Sequence, residues 1–399
     1  MNIGIVTAWF PAGGGYVSKA YRNTLEKEHK VFIYARAGRK MKNDPMWDDK
    51  RVTWAPRHYL ITGIRINHFK KWIRNNKIGT IIFNEQRYWL PILKAKELGV
   101  CIGAYVDYYT QDTVTAFAIY DFLICNTKRH FSVFEWHPHC YYIPWGTNIK
   151  YFTPKNEVYI RPLRFLASAG WEGSGSGDRR GTLLALKSFV RVDGDCQLII
   201  YSQIPLDKCT SEFQDLVLSD ERIDFRFGTF EPFPFEEGDV YLYPSRLDGI
   251  GLSLPEAISC GLAAITTDCA PMNEFVKNDF NGYLVNVCKY LGRHDGYYWA
   301  ESICDLDSLT EKMQKYVDDP NLLNLHKRNS RFFAEKHLDW DVNSKPLLKI
   351  IKNKGFILKT PTNDLLSQIK ILDQKNNPSI YPKWIRSTVS TIKELVSPT

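Results

Sequence analysis

"DVYLYPSRLDGIGLSLPEA", residues 239–257, holds a strand, a turn and a helix start within nineteen residues. The apolar run from Asp239 to Ser245 reads as a buried strand closed by Pro244-Ser245. Gly249-Ile250-Gly251 reads as a glycine-spaced turn, and Ser253-Leu-Pro-Glu256 as an S-x-x-E capping box with Pro255 tolerated in the first helical turn. The box accounts for Ser253 and Glu256. It leaves Asp248, and the glycines on both sides of Ile250, without a local reason. Glycine lets the backbone approach a ligand closely, and a carboxylate beside exposed amides at a strand's carboxyl end suits sugar hydroxyls.

The same strand-and-helix rhythm extends in both directions. Strands are expected at 3–9, 30–35, 80–85, 101–108, 121–126 and 140–144, with an amphipathic helix at 16–28. "PWGTNIKYFTPKNE" (144–157) breaks the pattern as a linker. A second series follows at 164–170, 197–203, 223–230, 239–245, 263–268 and 282–286, with a helix such as 182–190 between most of them. Alternating strands and helices predict parallel sheets wound on both faces. The expected domains are 1–155, 156–350 and a helical basic extension at 351–399. Two α/β units imply a cleft, with ligands at the carboxyl ends of the strands.

A chain of 399 residues exceeds one ordinary core. Its hydrophobic fraction of 44% and charged fraction of 24% are those of a soluble globular protein. Nine cysteines without a C-x-x-C pair read as reduced, buried thiols of a cytoplasmic protein. The start "MNIGIVTAWFP" lacks the pattern of a signal peptide, and no run approaches the apolar length of a membrane span. His137-Pro-His139-Cys140 has no second ligand group at zinc spacing, and Asp193-Gly-Asp195 reads as a polar turn. No metal is expected. The net charge of +8 suits an anionic ligand, a membrane surface or nucleic acid, and chooses none of them.

Gly13-Gly14-Gly15 lies between the first strand and the first helix, where it is either a tight turn or a cradle for phosphate. It departs from the G-x-G-x-x-G fingerprint, which leaves a nicotinamide enzyme with Arg36 or Arg39 on an extra phosphate as a lesser reading. "WEGSGSGDRRGTLLALKSF" (171–189) reads as a mobile glycine loop followed by a helix with Leu183, Leu184, Leu186 and Phe189 on its apolar face. Arg179 and Arg180 at that helix start oppose its dipole. A shared anion would explain them, since Arg grips phosphate bidentately; a solvated basic turn is the bland alternative.

Asp248-Gly-Ile-Gly-Leu-Ser-Leu-Pro-Glu256-Ala resembles the E-x7-E segment of the family-4 retaining glycosyltransferases of GT-B architecture. "MNIGIVTAWFPAGGG", "YYIPWGTNIKYFTP", "DRRGTLLALKSF" and "CGLAAITTDCAPMNEFVKNDFNGYLV" are similar to other stretches of that family, in order, over roughly residues 1–350. The resemblance implies two Rossmann-like domains facing a cleft, with C-terminal helices returning toward the first. It also implies metal-independent transfer, with retention, from a nucleotide-sugar donor and without a cofactor. Asp248 would bind donor-sugar hydroxyls, while Gly249, Ile250, Gly251 and Leu252 would offer amides to the sugar and phosphate. Glu256 would hold the ribose. Arg180 stands in place of the family's lysine on the diphosphate, joined by Arg179, and Gly14 and Gly15 would touch the diphosphate. Asp107 lies near where the family carries a His or Asp by the sugar. Asp248 departs from the family's first Glu, and Trp171 stands where an arginine often follows the glycine.

"DPMWDDKRVTWAPRHYL" (44–60) and "EQRYWLP" (85–91) give the first half the aromatic and basic side chains of an acceptor site. The preferred acceptor is a glycan, free or lipid-linked, made for the cell surface at the cytoplasmic face of a membrane, with peripheral membrane contact as an option. The alternatives are an enzyme acting on modified nucleic acid and a non-catalytic sugar-nucleotide-binding protein. The segment 383–396 is expected to form a helix that packs on the protein.

Overall fold

The computed structural model describes residues 1–58, 60, 62–155, 162–170, 178–352 and 361–376. Trp171, the glycine loop that follows it and the segment 383–396 lie outside the described residues. Contacts divide the chain into two units. The first comprises 1–125, 130–143 and the described residues from Ser344 onward; the second comprises 126–129 and 144–343.

In the first unit β1 (Asn2–Ala8), α1 (Gly13–Leu25), β2 (Lys30–Ala37), β3 (Val52–Trp54), α2 (Ile66–Asn75), β4 (Thr80–Asn84), α3 (Leu90–Glu97), β5 (Cys101–Tyr105), β6 (Phe122–Cys125), α4 (Lys128–Phe134) and β7 (Cys140–Tyr142) follow one another. The seven strands form one parallel sheet ordered β3-β2-β1-β4-β5-β6-β7. Ile5 of β1 pairs with Ile33 on one side and Ile82 on the other, and all three are buried. Such unbroken apolar runs suit strands covered on both faces, where alternation is not needed.

The second unit contains β8 (Leu163–Gly170), α5 (Thr182–Phe189), β9 (Cys196–Ser202), α6 (Ser211–Ser219), β10 (Ile223–Phe227), β11 (Val240–Tyr243), α7 (Ser253–Ser259), β12 (Ala263–Thr267) and β13 (Gly282–Val285). A hairpin of β14 (Val287–Leu291) and β15 (Glu301–Cys304) comes next, then α8 (Leu306–Asp318), α9 (Pro320–His337) and α10 (Trp340–Asn343). The main sheet is parallel and ordered β10-β9-β8-β11-β12-β13; the hairpin is a separate antiparallel pair. Leu186 and Phe189 of α5 pack with Phe165, Leu198, Val240 and Leu309 in one core.

The chain then returns to the first unit through α11 (Lys345–Lys352) and α12 (Asn363–Asn376). Leu347, Ile350 and Ile351 of α11 are buried, and this helix packs on α1, where Thr24 Oγ1 donates to Ser344 Oγ at 3.1 Å. Asp373 of α12 accepts the amides of Trp89 (2.8 Å) and Leu90 (3.0 Å) at the start of α3. The expected return of C-terminal helices is therefore present. Among the described residues no helix is long and apolar enough to cross a membrane.

Two local expectations are corrected. Gly13, Gly14 and Gly15 form the first turn of α1 rather than a loop before it. Gly15 has a packing reason, because a Cβ there would stand 2.1 Å from the Phe10 carbonyl oxygen. The capping box is not formed. Leu252, in helical conformation, occupies the N-cap of α7 and no side chain caps it, so Glu256 does not fold back.

Candidate functional site

In the second unit β8 and β11 are neighbours, with Phe165 beside Val240 and Ala167 beside Leu242. Their connections lead to β9 and β12, on opposite sides of the pair, so the loops at their carboxyl ends diverge and leave room for a ligand. The α5 start is fixed against the β11 exit. Arg179 offers its carbonyl to Arg246 N (2.7 Å) and Ser245 Oγ (3.1 Å). Gly181 sits between them at φ 70°, and a Cβ there would come within 2.1 Å of the Pro244 carbonyl.

Asp178 supplies an anion that sequence reasoning assigned to a ligand. Its carboxylate accepts Thr182 N (3.0 Å) and Leu183 N (2.8 Å), so the N-terminus of α5 is capped from within the chain. Any contact of this segment with phosphate thereby falls to the guanidinium groups. Arg180 extends over β8, where its Nη1 donates to Ser168 Oγ at 2.8 Å.

Asp248 is gripped from two sides. Tyr243 donates its hydroxyl to Oδ2 (2.6 Å) and Gly249 its amide to Oδ1 (2.8 Å). Burial opposes the charge of Asp248. Arg179, the Tyr243 hydroxyl, Arg180 and the Gly249 amide outweigh burial and hold the carboxyl below the usual carboxylate range. Glu256 goes the other way. Burial pushes it up to about 8, with only the Arg180 charge in opposition, and no hydrogen bond to its carboxylate is formed among the described residues. Two acids influenced by one arginine are thus shifted in opposite directions, an arrangement that separates their chemical roles. Ile250 is buried and anchors the turn, while Gly251 takes φ 80° beside the Tyr243 ring. Arg129, counted with this unit, donates to the carbonyls of Asp248 and Ala270 and braces the turn from behind.

In the first unit Gly14 faces a carboxyl group that sequence reasoning missed: a Cβ on Gly14 would be 3.2 Å from Glu85 Oε1. Glu85 follows β4 in a left-handed conformation, φ 50°, which a non-glycine residue adopts only under constraint. Burial, the Asp107 charge and a hydrogen bond to Asp107 push its carboxyl up to about 7 against Arg36 and Arg87. Asp107 stands 3.6 Å from His130 Nε2, and His130 Nδ1 meets Tyr109 OH at 2.9 Å. Arg36 donates to the carbonyls of Asn84 (2.7 Å) and Glu85 (3.0 Å), a structural engagement in place of a cofactor phosphate. The signal for Glu85 was present as a charge ending the apolar run "TIIFNE". Tyr243 had none, because a hydroxyl at the end of a buried strand looks like any core aromatic.

A family model described as "Glycosyl transferases group 1" matches residues 235–290, the segment that carries both Asp248 and Glu256. The chain is 29% identical over 100 residues to the UDP-Gal:alpha-D-GlcNAc-diphosphoundecaprenol alpha-1,3-galactosyltransferase of Escherichia coli; this covers 25% of the chain and 21% of that protein, about a fifth of its length. Sucrose-phosphate synthase from Thermosynechococcus elongatus is similar in structure with a TM-score of 0.68 at 15% identity, over 88% of this chain and 98% of that one. The Anabaena protein HepE, in complex with UDP-glucose, gives a TM-score of 0.66 at 11% identity over 88% and 99%. The chain has the GT-B fold of two parallel-sheet α/β domains, and residues 235–290 carry the pattern of the group 1 glycosyl transferases.

Proposed function

We propose that the protein is a retaining glycosyltransferase that moves a sugar from a nucleoside-diphosphate sugar to a glycan acceptor. The observation that carries this reading is the Asp248 turn, where the Tyr243 hydroxyl and the Gly249 amide hold the carboxylate while Arg180 extends over the neighbouring strand β8. Asp248 accepts hydroxyls of the donor sugar, and its charge favours the positive character that develops at the anomeric carbon. Arg179 and Arg180 neutralise the diphosphate as the bond from the anomeric carbon to oxygen breaks, in place of a metal ion. The amides of Ile250 to Leu252 face the sugar and phosphate, the Gly249 amide being taken by Asp248, and Glu256 holds the ribose. The leaving phosphate takes the proton of the acceptor hydroxyl. Asp107, Gly14 and Gly15 stand as the first unit's proposed contribution, Asp107 to a sugar hydroxyl and the glycines to phosphate.

UDP-sugars are the donors to test first, because HepE is in complex with UDP-glucose and the Escherichia coli relative is named for UDP-Gal. That relative's name also motivates a sugar on a polyprenyl diphosphate as acceptor, which suits an enzyme working beside a membrane in glycolipid or polysaccharide synthesis. A thermal-shift panel of nucleotide sugars finds the donor, since a bound ligand raises stability by mass action. Transfer with chelator present, and a product of unchanged anomeric configuration by NMR, then support the mechanism. Asp248→Asn should lower turnover by roughly an order of magnitude or more at unchanged melting temperature. Wild-type turnover in that variant would reject the role of Asp248, and binding without turnover of any acceptor would favour a sugar-nucleotide sensor.

A further inference from the structure

The net charge of the chain is carried by one stretch. Residues 50–84, from Lys50 to Asn84, contain eight Lys and Arg and no Asp or Glu. Of the chain's 52 Lys and Arg, 44 remain elsewhere against all 44 Asp and Glu, so the whole excess of +8 lies in this stretch.

Helix α2 is its centre. Phe69, Trp72 and Ile73 bury one side of the helix. Asn67, Lys70, Lys71 and Arg74 recur at i, i+3, i+4 and i+7, which places them on the opposite side. Lys71 and Arg74 are exposed, as are Arg65 at the N-cap and Lys77 beyond the last turn; Lys70 is half-buried. Among the described residues none of these five cations forms an ion pair, whereas Arg22 of α1 pairs with Glu26 and Asp49, and Lys94 and Lys96 of α3 pair with Glu97 and Asp121. Helix stability does not call for Arg65. No acid stands in the first turn, no side chain caps it, and the cation opposes the dipole; its Nε donates to the Arg57 carbonyl at 3.3 Å.

A helix side of one charge sign, without counter-charges, matches a polyanionic surface. Basic residues clustered on an amphipathic helix suit anionic headgroups. Nucleic acid fits less well, because the rings of Phe69 and Trp72 pack inward on Tyr34 at 5.2 Å each and offer bases no stacking platform. The segment entering α2 is also latched to the loop after β4. Thr62 Oγ1 accepts the amides of Arg87 (2.8 Å) and Tyr88 (3.0 Å), and the Thr62 carbonyl accepts Gln86 Nε2 (2.8 Å).

We propose that the α2 face of Lys70, Lys71 and Arg74, with Arg65 and Lys77 at its ends, docks the first unit on an anionic lipid bilayer. Adhesion is by charge and without insertion, since none of the helix's large apolar side chains is exposed. Docking brings the loop after β4 to the headgroups, where a lipid-linked acceptor would present its sugar. That consequence rests on the sugar-transfer reading above; the docking does not.

The test sediments the full chain with vesicles of phosphatidylcholine, alone or mixed with phosphatidylglycerol, without donor or acceptor. Binding should require the anionic lipid and weaken as salt is raised. The triple variant Lys70→Gln, Lys71→Gln, Arg74→Gln should lower the partition roughly tenfold or more, at about fivefold for each basic side chain near an anionic surface. Its melting temperature and UDP affinity should match wild type. A control with Lys289→Gln, Lys336→Gln and Lys349→Gln removes the same charge from exposed positions elsewhere and should keep most of the binding. Equal losses in the two variants assign the effect to net charge and overturn the face, as does anionic binding that the α2 variant retains, or no binding at all. Binding to a duplex oligonucleotide in place of vesicles, lost in the α2 variant, overturns the bilayer. Failure of every nucleotide to bind rejects the sugar-transfer reading and leaves vesicle docking standing.

Discussion

Removal of the Arg180 guanidinium would act on two carboxyl groups at once, because its charge helps to lower Asp248 and opposes the protonation of Glu256 that burial favours. Arg180→Ala should weaken nucleoside diphosphate binding by about 1.5–3 kcal/mol, as for a charge-assisted contact, while nucleoside binding changes little; calorimetry on the two ligands checks the split. Glu256 gives a pH signature. Its folded carboxyl sits at about 8, above the 4.5 of an ordinary glutamate, so the folded state binds the proton more tightly than the unfolded chain. The stabilisation is complete below about pH 4.5, declines as pH rises and is gone once pH has passed the folded value of about 8. Wild-type melting temperature should therefore fall relative to Glu256→Gln over that window, measured at matched ionic strength. If ribose requires the carboxylate, nucleotide binding at about pH 7 should also release a proton, seen as buffer-dependent calorimetric heat and absent from Glu256→Gln.

Capping of α5 by Asp178 is an element-scale property, and its loss should show as stability rather than chemistry. Asp178→Ala removes the acceptor of two helix amides and should cost about 0.5–2 kcal/mol, read by denaturant unfolding; Asp178→Asn should recover most of it. Elements of this kind were unevenly legible in the sequence. The twelve strands of the two main series were all readable, because buried parallel strands are continuous β-branched and aromatic runs between turn residues. Short, half-buried β3 and the hairpin were not, since "VTW" is three residues long and "VCKYL", with Cys288, Lys289 and Tyr290 exposed, has no buried face to set a period. At the site, Asp248 and Glu256 stood out because no local structural role used both. The capping motif at Ser253 was present in letters, but the backbone at Leu252 enters the helix one residue earlier and gives the box no geometry. Asp178 was overlooked for the opposite reason: an acid beside two arginines reads as part of a charged turn.

At the scale of the molecule the first unit is closed by residues from the far end of the chain. Ile369 and Leu372 of α12 are buried, and Asp373 caps α3. A chain ending at Lys352 should lose on the order of 3 kcal/mol from the first unit through the missing burial of these two side chains, seen as an earlier transition by calorimetry, while UDP affinity persists because the proposed phosphate and ribose contacts of the second unit are intact. The bond between Thr24 and Ser344 spans 320 positions, and its consequence is one of timing. On the ribosome, residues 144–343 emerge in one continuous piece and can complete their sheet while the first unit still waits for α11 and α12. Domains usually settle in order of synthesis. Here α1 precedes the helix that covers it by some 320 positions, and the part of α1 on which α11 packs stays open until that helix has been made.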